Sequence, residues 1–394
     1  MFKKILKILG IIFIPIFIIS LAAKNYSRYL DNYFDKNYND CIEKSYGINE
    51  KNKGVKILNK ASSKNDILMF GSSELNNTDS PQSPANMFPN NKAPYDICLI
   101  GEAGTQSLLH AIKIGAIDTD LSDRKVILMV SPQWFLGENI DVSAYKYNFS
   151  KLQFYKFMAN GNISDDIKNR VCKRNSELLK KEISFNSEFF YSYLNSNENP
   201  FSKIFYCMFK PYFCLYKKVL ELKDKHTACR AIKNLDNNSL SEIKNINWQE
   251  EKNEVEELGK KYYNGNDLKI SDEYYFNSLG GNTENLKGMY RDTPVLTSPE
   301  FEDFEIILEV FKNLRIKPFI VLVPANGYFY DIAEINQEKR FSLYDKLCAQ
   351  IKKFGFDYLD IRNSEYEPFF FKDMIHLSPK GWLYINEKIT QHFS

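Results

Sequence analysis

Four short segments of the sequence are apolar at every position, and they restrict the possible folds more than any other feature. They are ILMF (67–70), ICLI (97–100), VILMV (126–130) and FIVLV (319–323). A strand that is apolar throughout is buried on both faces, which is typical of a parallel sheet covered by helices. Helix-like segments such as 107–117 and the amphipathic stretch 299–314 separate these runs. The alternation predicts a three-layer α/β domain with a mainly parallel central sheet.

The strand pattern stops after Trp134 and returns only near Ser298. Helical patterns with polar interruptions fill this interval, so we predict a helical insertion at about 135–298 within a domain that covers 54–394. The segment 201–222 inside the insertion is unusually aromatic, but its lysines and its internal proline argue against a membrane-spanning helix. A packed helical hairpin and a surface that faces the membrane or a partner both remain compatible with this segment.

The N-terminus predicts a membrane-targeting segment. Three lysines precede an uncharged apolar run at 8–23, and the flanking apolar residues bring the run close to the ~20 residues that cross a bilayer. We therefore expect one transmembrane helix at 1–23 and a polar connector at 24–53. The basic start predicts a cytoplasmic N-terminus and an extracellular domain on the other side of the cell membrane. Small residues at 20–22 are also compatible with a cleaved signal peptide.

The charge and cysteine patterns argue against several functional classes. The net charge is only +2 and no long basic run is present, which argues against nucleic acid as a partner. Seven scattered cysteines form no C-x-x-C pair, so neither a zinc site nor a complete disulfide framework is indicated. A single bridge, Cys207 to Cys214 or Cys214 to Cys229, remains open if the domain lies outside the cytoplasm. We expect no cofactor and no metal.

A candidate nucleophile follows the first apolar run, which leads directly into Gly71-Ser72-Ser73-Glu74. Glycine at the carboxyl end of a strand permits a tight turn, and backbone N–H groups beside an exposed hydroxyl can hold an oxyanion. This edge of an α/β sheet is the usual ligand site. Taken alone, the motif favours a serine that caps a helix over a nucleophile.

A second motif, Asp373-x-x-His376, lies near the C-terminus. A serine hydroxyl needs a neighbouring base to attack a carbonyl carbon, and the base needs a carboxylate to fix its tautomer. The other three histidines lie in a core helix, a charged helix of the insertion and the terminus: His110, His226 and His392. Only His376 has an acid at suitable spacing. We predict Ser73 as nucleophile, His376 as base and Asp373 as its orienting acid, with a surface ion pair as the alternative for the last two.

These residues resemble the SGNH (GDSL-like) hydrolases, which combine a glycine–serine turn after the first core strand with a C-terminal Asp-x-x-His. Ser72 stands where that family usually has aspartate. More closely, the chain resembles the DltD family of D-alanyl-lipoteichoic acid biosynthesis proteins of Gram-positive bacteria. The matching segments, besides the N-terminal anchor, are FGSSEL (70–75), SPQWF (131–135), NDLKISDEYY (266–275), VPANGYFYD (323–331) and DMIHLSPKGW (373–382).

The resemblance implies an extracytoplasmic serine acyltransferase that moves D-alanine onto the hydroxyl groups of lipoteichoic (teichoic) acid. It also implies partners: a membrane O-acyltransferase of the D-alanylation pathway (DltB-like), a small membrane peptide (DltX-like), lipoteichoic acid and the D-alanyl carrier protein. Two other functions stay open. One is a thioesterase or esterase that hydrolyses D-alanyl-carrier protein or O-acetyl esters, and the other is a non-catalytic, membrane-tethered scaffold for the D-alanylation machinery.

The oxyanion donors are a separate set of candidates. The backbone N–H of Ser73 is the first and that of Gly104, in the loop after the second apolar run, is the second. SGNH enzymes add an asparagine side chain from a later loop, where this chain has Gln133, which either donates through its amide or has a structural role. Asn326 follows another predicted strand and either lines the pocket or forms an Asn-Gly turn.

Overall fold

The centre of the fold is a parallel sheet. The computed structural model describes residues 2–138, 141–180, 182–197, 199–235 and 242–394, and side chains from residue 14 onward. Within these residues the sheet has five strands, β1 (Ile67–Gly71), β2 (Ile97–Gly101), β3 (Lys125–Val130), β4 (Pro318–Leu322) and β5 (Asp357–Asp360). Their order is β2-β1-β3-β4-β5, and every neighbouring pair is parallel. The predicted α/β class and parallel central sheet are confirmed.

The first four strands are those predicted from the apolar runs, and their side chains are buried almost without exception. The fifth strand, with the sequence DYLD, was not predicted. It lies at the edge of the sheet beside β4 and is only half-buried. Since an edge strand contacts solvent along one side, it does not need the continuous apolar run that marks a central strand.

Helices precede, cover and connect the strands. Those before β3 are α1 (Phe2–Asn37), α2 (Cys41–Lys44), α3 (Asn49–Asn52), α4 (Lys56–Ser62), α5 (Pro84–Met87) and α6 (Ser107–Gly115). Those between β3 and β4 are α7 (Val142–Asn148), α8 (Lys151–Ala159), α9 (Asp165–Leu178), α10 (Asn186–Ser196), α11 (Pro200–Lys233), α12 (Trp248–Tyr262), α13 (Asp272–Ser278) and α14 (Glu300–Asn313). The remaining ones are α15 (Gly327–Ile332), α16 (Gln337–Phe354) and α17 (Pro379–Phe393). Helix α14 packs on α6 and α16, and α17 packs on α12.

The aromatic segment 201–222 lies within α11, one helix of 34 residues that continues through Pro211. The segment is therefore one continuous helix, and it packs against α10, the helix that precedes it. An internal proline removes one backbone hydrogen bond and usually bends or ends a helix. Here one side of α11 is held by ring contacts, among them Phe213 with Tyr191 of α10 and with Tyr155 of α8. Packing of this kind outweighs the local preference of a single residue.

The N-terminal helix α1 runs through the predicted anchor and continues through much of the predicted connector to Asn37. Its C-terminal part packs against the C-terminal part of α11, where Leu30 and Phe34 are buried with Cys229 and Ile232. Within the part of the chain whose side chains are described, no helix is long and apolar enough to cross a bilayer. The first 13 residues of the predicted anchor at 1–23 lie outside the set with described side chains.

Candidate active site

The backbone at the end of β1 presents Ser73 at the carboxyl edge of the sheet. The strand ends at Gly71, and a short 3-10 helix begins at Ser73 itself (Ser73–Asn76). Strand β1 lies between β2 and β3, which is the point where the strand order of the sheet reverses direction. Crevices at such a point, outside the carboxyl ends of the strands, are the usual ligand sites of open α/β sheets. The Ser73 side chain is half-buried there.

A tight loop at 371–377 carries the histidine and the aspartate. An antiparallel bridge between Phe371 and Leu377 closes the loop, and the Lys372 N–H donates to the His376 carbonyl at 2.8 Å. The next residue, Ser378, caps α17 by accepting hydrogen bonds from two backbone N–H groups of its first turn. The loop is therefore fixed at both ends, which limits the positions its side chains can adopt.

The three predicted residues form one chain of hydrogen bonds, although Ser73 and His376 are 303 residues apart in sequence. Asp373 Oδ1 accepts the N–H groups of Ile375 and His376 at 2.9 and 2.8 Å, while its Oδ2 lies 2.8 Å from His376 Nδ1. The Nε2 atom of His376 lies 2.9 Å from Ser73 Oγ. With the imidazole proton on Nδ1, Nε2 is free to accept the serine proton.

The charge of Asp373 makes His376 a better proton acceptor. Burial alone lowers the pKa of His376, but the hydrogen bond and charge of Asp373 outweigh it and hold that pKa above the ordinary 6.5. Burial also opposes ionisation of Asp373, yet the contacts with His376 and the two backbone N–H groups leave its pKa below the usual 3.8. Asp373 is therefore ionised near neutral pH and supports proton transfer to His376.

The raised pKa of His376 predicts the pH dependence of any reaction that needs the neutral imidazole. The rate at which a serine-reactive phosphonate labels Ser73 should fall as pH decreases through a value above 6.5, because protonated His376 cannot take the serine proton. In Asp373→Asn the midpoint should move to lower pH, with a rate loss of about 10²-fold or more. The measurement is the labelling rate between pH 5 and 9, a range set around the reference histidine pKa.

The matched control for this experiment is Asp357→Asn. Asp357 is exposed and lies at the amino end of β5, whereas the site lies at the carboxyl edge of the sheet. That variant should keep the wild-type midpoint. A midpoint for Asp373→Asn that equals or exceeds the wild-type midpoint would contradict the coupling of Asp373 to His376.

A further acidic side chain, which is fully buried, belongs to this site and was not predicted from the sequence. Glu74 is buried, and its Oε1 accepts the N–H of Ser72 at 2.7 Å, which holds the backbone of the turn just before Ser73. Burial raises the pKa of Glu74, and its charge also contributes to the raised pKa of His376. The only sequence signal is its position directly after Ser73, where a glutamate normally indicates an exposed first turn of a helix.

Three further residues were predicted to donate to the oxyanion or to line the pocket: Gly104, Gln133 and Asn326. The Gly104 N–H donates to Ser72 Oγ at 3.0 Å, so in this structure it holds the side chain next to the nucleophile candidate. Gln133 lies in a 3-10 helix (Pro132–Phe135) after β3, at the same edge of the sheet as Ser73. Asn326 is buried as the N-cap of α15, where Oδ1 accepts the Phe329 N–H.

The part of the chain that the structure describes contains no cluster of metal-binding side chains and no disulfide bond. No group of three or more His, Cys, Asp or Glu side chains there is arranged to hold a metal ion. Cys207, Cys214 and Cys229 are free thiols, so neither of the bridges considered from the sequence is present.

Comparison with known proteins supplies independent information on this chain. Residues 44–394 match a family model described as "DltD protein". A Bacillus subtilis protein named "Protein DltD" is 30% identical over 329 residues, which cover 82% of this chain and 81% of the relative. "Protein DltD" of Staphylococcus aureus is 27% identical, with 82% and 80% covered. The protein of the same name from Lacticaseibacillus rhamnosus is 24% identical, with 86% and 79% covered.

Proposed function

The chain belongs to the DltD family, and from this premise we propose that it is an extracytoplasmic serine acyltransferase that transfers D-alanine to hydroxyl groups of lipoteichoic (teichoic) acid. Under this proposal Ser73 is the nucleophile, His376 the general base and acid, and Asp373 the residue that orients His376. The reaction adds ammonium groups to a polyanionic polymer of the Gram-positive envelope, which weakens its attraction for cationic peptides.

The observation that supports this proposal most directly is the hydrogen-bonded chain from Asp373 through His376 to Ser73. All of its distances are within reach for proton transfer, and the half-buried serine lies at the ligand edge of the sheet. A surface ion pair between Asp373 and His376 would not need a serine hydroxyl at 2.9 Å from the free imidazole nitrogen. The same arrangement serves acyl transfer in unrelated serine enzymes.

The chemistry proceeds in two proposed steps. In the first, Ser73 Oγ attacks the carbonyl carbon of a D-alanyl ester or thioester while His376 Nε2 takes the serine proton. His376 then returns this proton to the departing alcohol or thiol, which leaves an acyl-serine. In the second step, His376 deprotonates a hydroxyl of the acceptor polymer, the resulting oxygen attacks the acyl carbon, and Ser73 leaves with the proton. The acceptor gains a D-alanyl ester.

Negative charge on the carbonyl oxygen needs donors in both steps. We propose the backbone N–H of Ser73 as the main donor, because Ser73 is the first residue of a helical turn, where backbone N–H groups have no partner within the turn. The Gly104 N–H is the second candidate, and it would have to exchange its hydrogen bond to Ser72 Oγ for one to substrate. The Gln133 amide remains the third.

Location and partners are part of the same proposal. Residues 1–23 would hold the chain in the cell membrane as a single-pass anchor with a cytoplasmic N-terminus, and the remainder would lie outside. A membrane O-acyltransferase of the D-alanylation pathway (DltB-like), with a small membrane peptide (DltX-like), would deliver D-alanine that the D-alanyl carrier protein supplies on the cytoplasmic side. Lipoteichoic acid would be the acceptor.

The direct test is transfer by the purified full-length chain in detergent, supplied with a small D-alanyl thioester and with lipoteichoic acid. We expect D-alanyl esters on the polymer, measured by mass spectrometry, at a rate that His376→Ala lowers about 10³-fold or more. The matched control is His226→Ala, since His226 is an exposed residue of α11 that contacts Tyr26 of α1 and not the site. That variant should transfer at the wild-type rate.

The outcome also separates the competing functions. Release of free D-alanine with no ester on the polymer would support a thioesterase or esterase instead of a transferase. Equal transfer by His376→Ala and wild type would contradict the proposed base.

A further inference from the structure

An unusual apolar surface lies on α11, far along the chain from the residues of the site. One side of this helix packs on α8 and α10, but a neighbouring side exposes large apolar side chains at helical spacing. We call this set the α11 stripe: Phe201, Ile204, Phe205, Met208, Tyr212, Leu215 and Val219, with exposed fractions from 47 to 69%. Contiguous exposed apolar surface of this kind marks a site of interaction with a membrane or a protein.

The charges beside the stripe are of one sign. Between Pro200 and Leu220 the helix carries four lysines and no acidic residue. These lysines are Lys203, Lys210, Lys217 and Lys218, of which only Lys217 is partly buried. Amphipathic helices that lie in the surface of a bilayer combine an apolar face with flanking lysines, which attract anionic lipid headgroups.

The stripe also continues the face of α11 that packs on the N-terminal helix. His226 Nδ1 lies 2.7 Å from Tyr26 Oη, and His226 follows Val219 and Tyr212 at intervals of seven residues. Cys229 Sγ contacts the Leu30 carbonyl at 3.3 Å and continues the series of Met208, Leu215 and Leu222 at the same interval. Positions seven residues apart lie on nearly the same side of a helix.

The two helices run in the same direction, because contacts advance together from Tyr26 with His226 to Leu30 with Cys229. The apolar part of each helix lies on the N-terminal side of this contact. In α1, the apolar side chains between Ile14 and Leu21 are at least half exposed, so the two apolar parts do not cover each other. Both apolar parts therefore lie on the same side of the contact between the two helices.

We propose that the α11 stripe docks on an anionic lipid bilayer, at the membrane surface next to the N-terminal helix. The apolar side chains enter the boundary between headgroups and acyl chains, and the lysines contact lipid phosphates. The domain then has two membrane contacts, the N-terminal helix and the α11 stripe. Two contacts restrict the tilt of the domain relative to the membrane more than a single anchor helix would. This inference concerns membrane contact alone and does not depend on the acyl-transfer chemistry.

The test places a fluorescent reporter on the stripe of the full-length chain. A Met208→Trp variant is reconstituted into vesicles of phosphatidylglycerol and phosphatidylcholine with brominated acyl chains, which quench tryptophan that reaches them. We expect the fluorescence added by this tryptophan to fall by about half or more. In a second variant that combines Met208→Trp with Leu215→Glu and Val219→Glu, the quenching should fall at least fivefold, because carboxylates are repelled by the anionic surface.

The matched control is Tyr262→Trp on α12, an exposed position outside the α11 stripe (48%, against 68% at Met208). Its added fluorescence should not be quenched. All variants should keep the wild-type thermal midpoint in detergent, which shows that they are folded. Equal quenching of the two single-tryptophan variants would overturn the proposal. So would a tryptophan at position 208 that is unquenched in lipid and changes only when a membrane protein of the pathway is added, because the stripe would then bind protein.

Discussion

Ser73→Ala should abolish D-alanyl transfer, lowering the rate by about 10³-fold or more, while leaving the chain folded and attached to membranes. The reason is chemical: His376 would retain its partner Asp373 but would have no hydroxyl to activate, so the covalent step could not occur. The hydroxyl is half-buried and its loss removes little packing, so stability should change by less than about 1 kcal/mol. The measurements are the D-alanyl ester content of teichoic acid in cells with the variant as sole copy, and the transfer rate of the purified chain.

The adjacent serine provides the matched control. Ser72 Oγ accepts the Gly104 N–H and donates to the Glu102 carbonyl at 3.3 Å, so Ser72→Ala loosens the loop after β2 but leaves the nucleophile in position. We expect a smaller loss, roughly 10-fold. Normal D-alanylation in cells with Ser73→Ala would contradict the catalytic proposal and favour the scaffold function.

Gly101→Ala should have the largest effect on stability. Gly101 pairs with Gly71 across β1 and β2, and a Cβ atom at Gly101 would lie 2.0 Å from the Gly71 carbonyl oxygen. Neither strand can relieve this contact by turning a side chain, so the backbone must move. We expect a loss of about 3 kcal/mol in the free energy of unfolding. The displaced end of β1 leads directly into Ser73, so phosphonate labelling should fall as well.

The stability of this variant is measured as the thermal midpoint of the full-length chain in detergent. We expect a decrease of roughly 5 °C or more. Gly161→Ala is the control, since a Cβ at Gly161 would meet no atom within 4 Å and its backbone does not require glycine. It should melt within about 1 °C of wild type. A Gly101→Ala variant with unchanged melting and labelling would show that β1 and β2 can separate without cost.

The fold could be predicted where burial leaves a strong pattern in sequence. Four strands lie within a few residues of the predicted runs because each is covered on both faces. The edge strand β5 carries aspartate at both ends, so its existence depends on pairing with β4 and not on its own composition. The continuity of α11 through Pro211 depends in the same way on contacts with α8 and α10. Such contacts between distant segments cannot be predicted from the residues next to the proline.

The grouping of Ser73, His376 and Asp373 was predictable because the chain has few histidines and only His376 has an acid at suitable spacing. Their catalytic role stays a prediction until the variants are measured. The surrounding donors were harder to predict because they depend on which backbone groups meet after folding. The Gly104 N–H donates to the Ser72 side chain, and Asn326 caps α15. Both residues nevertheless follow the carboxyl ends of strands, where site residues are expected.

The wide separation of Ser73 from His376 has a consequence for biosynthesis. Under the proposed topology, the chain crosses the membrane from its N-terminus onward, and Ser73 emerges long before the 371–377 loop. Until this last loop joins the sheet, the serine lacks its base and is not a competent nucleophile. A partly exported or C-terminally truncated chain would therefore be chemically silent. Activity would begin only when export is nearly finished, because the last loop supplies the base.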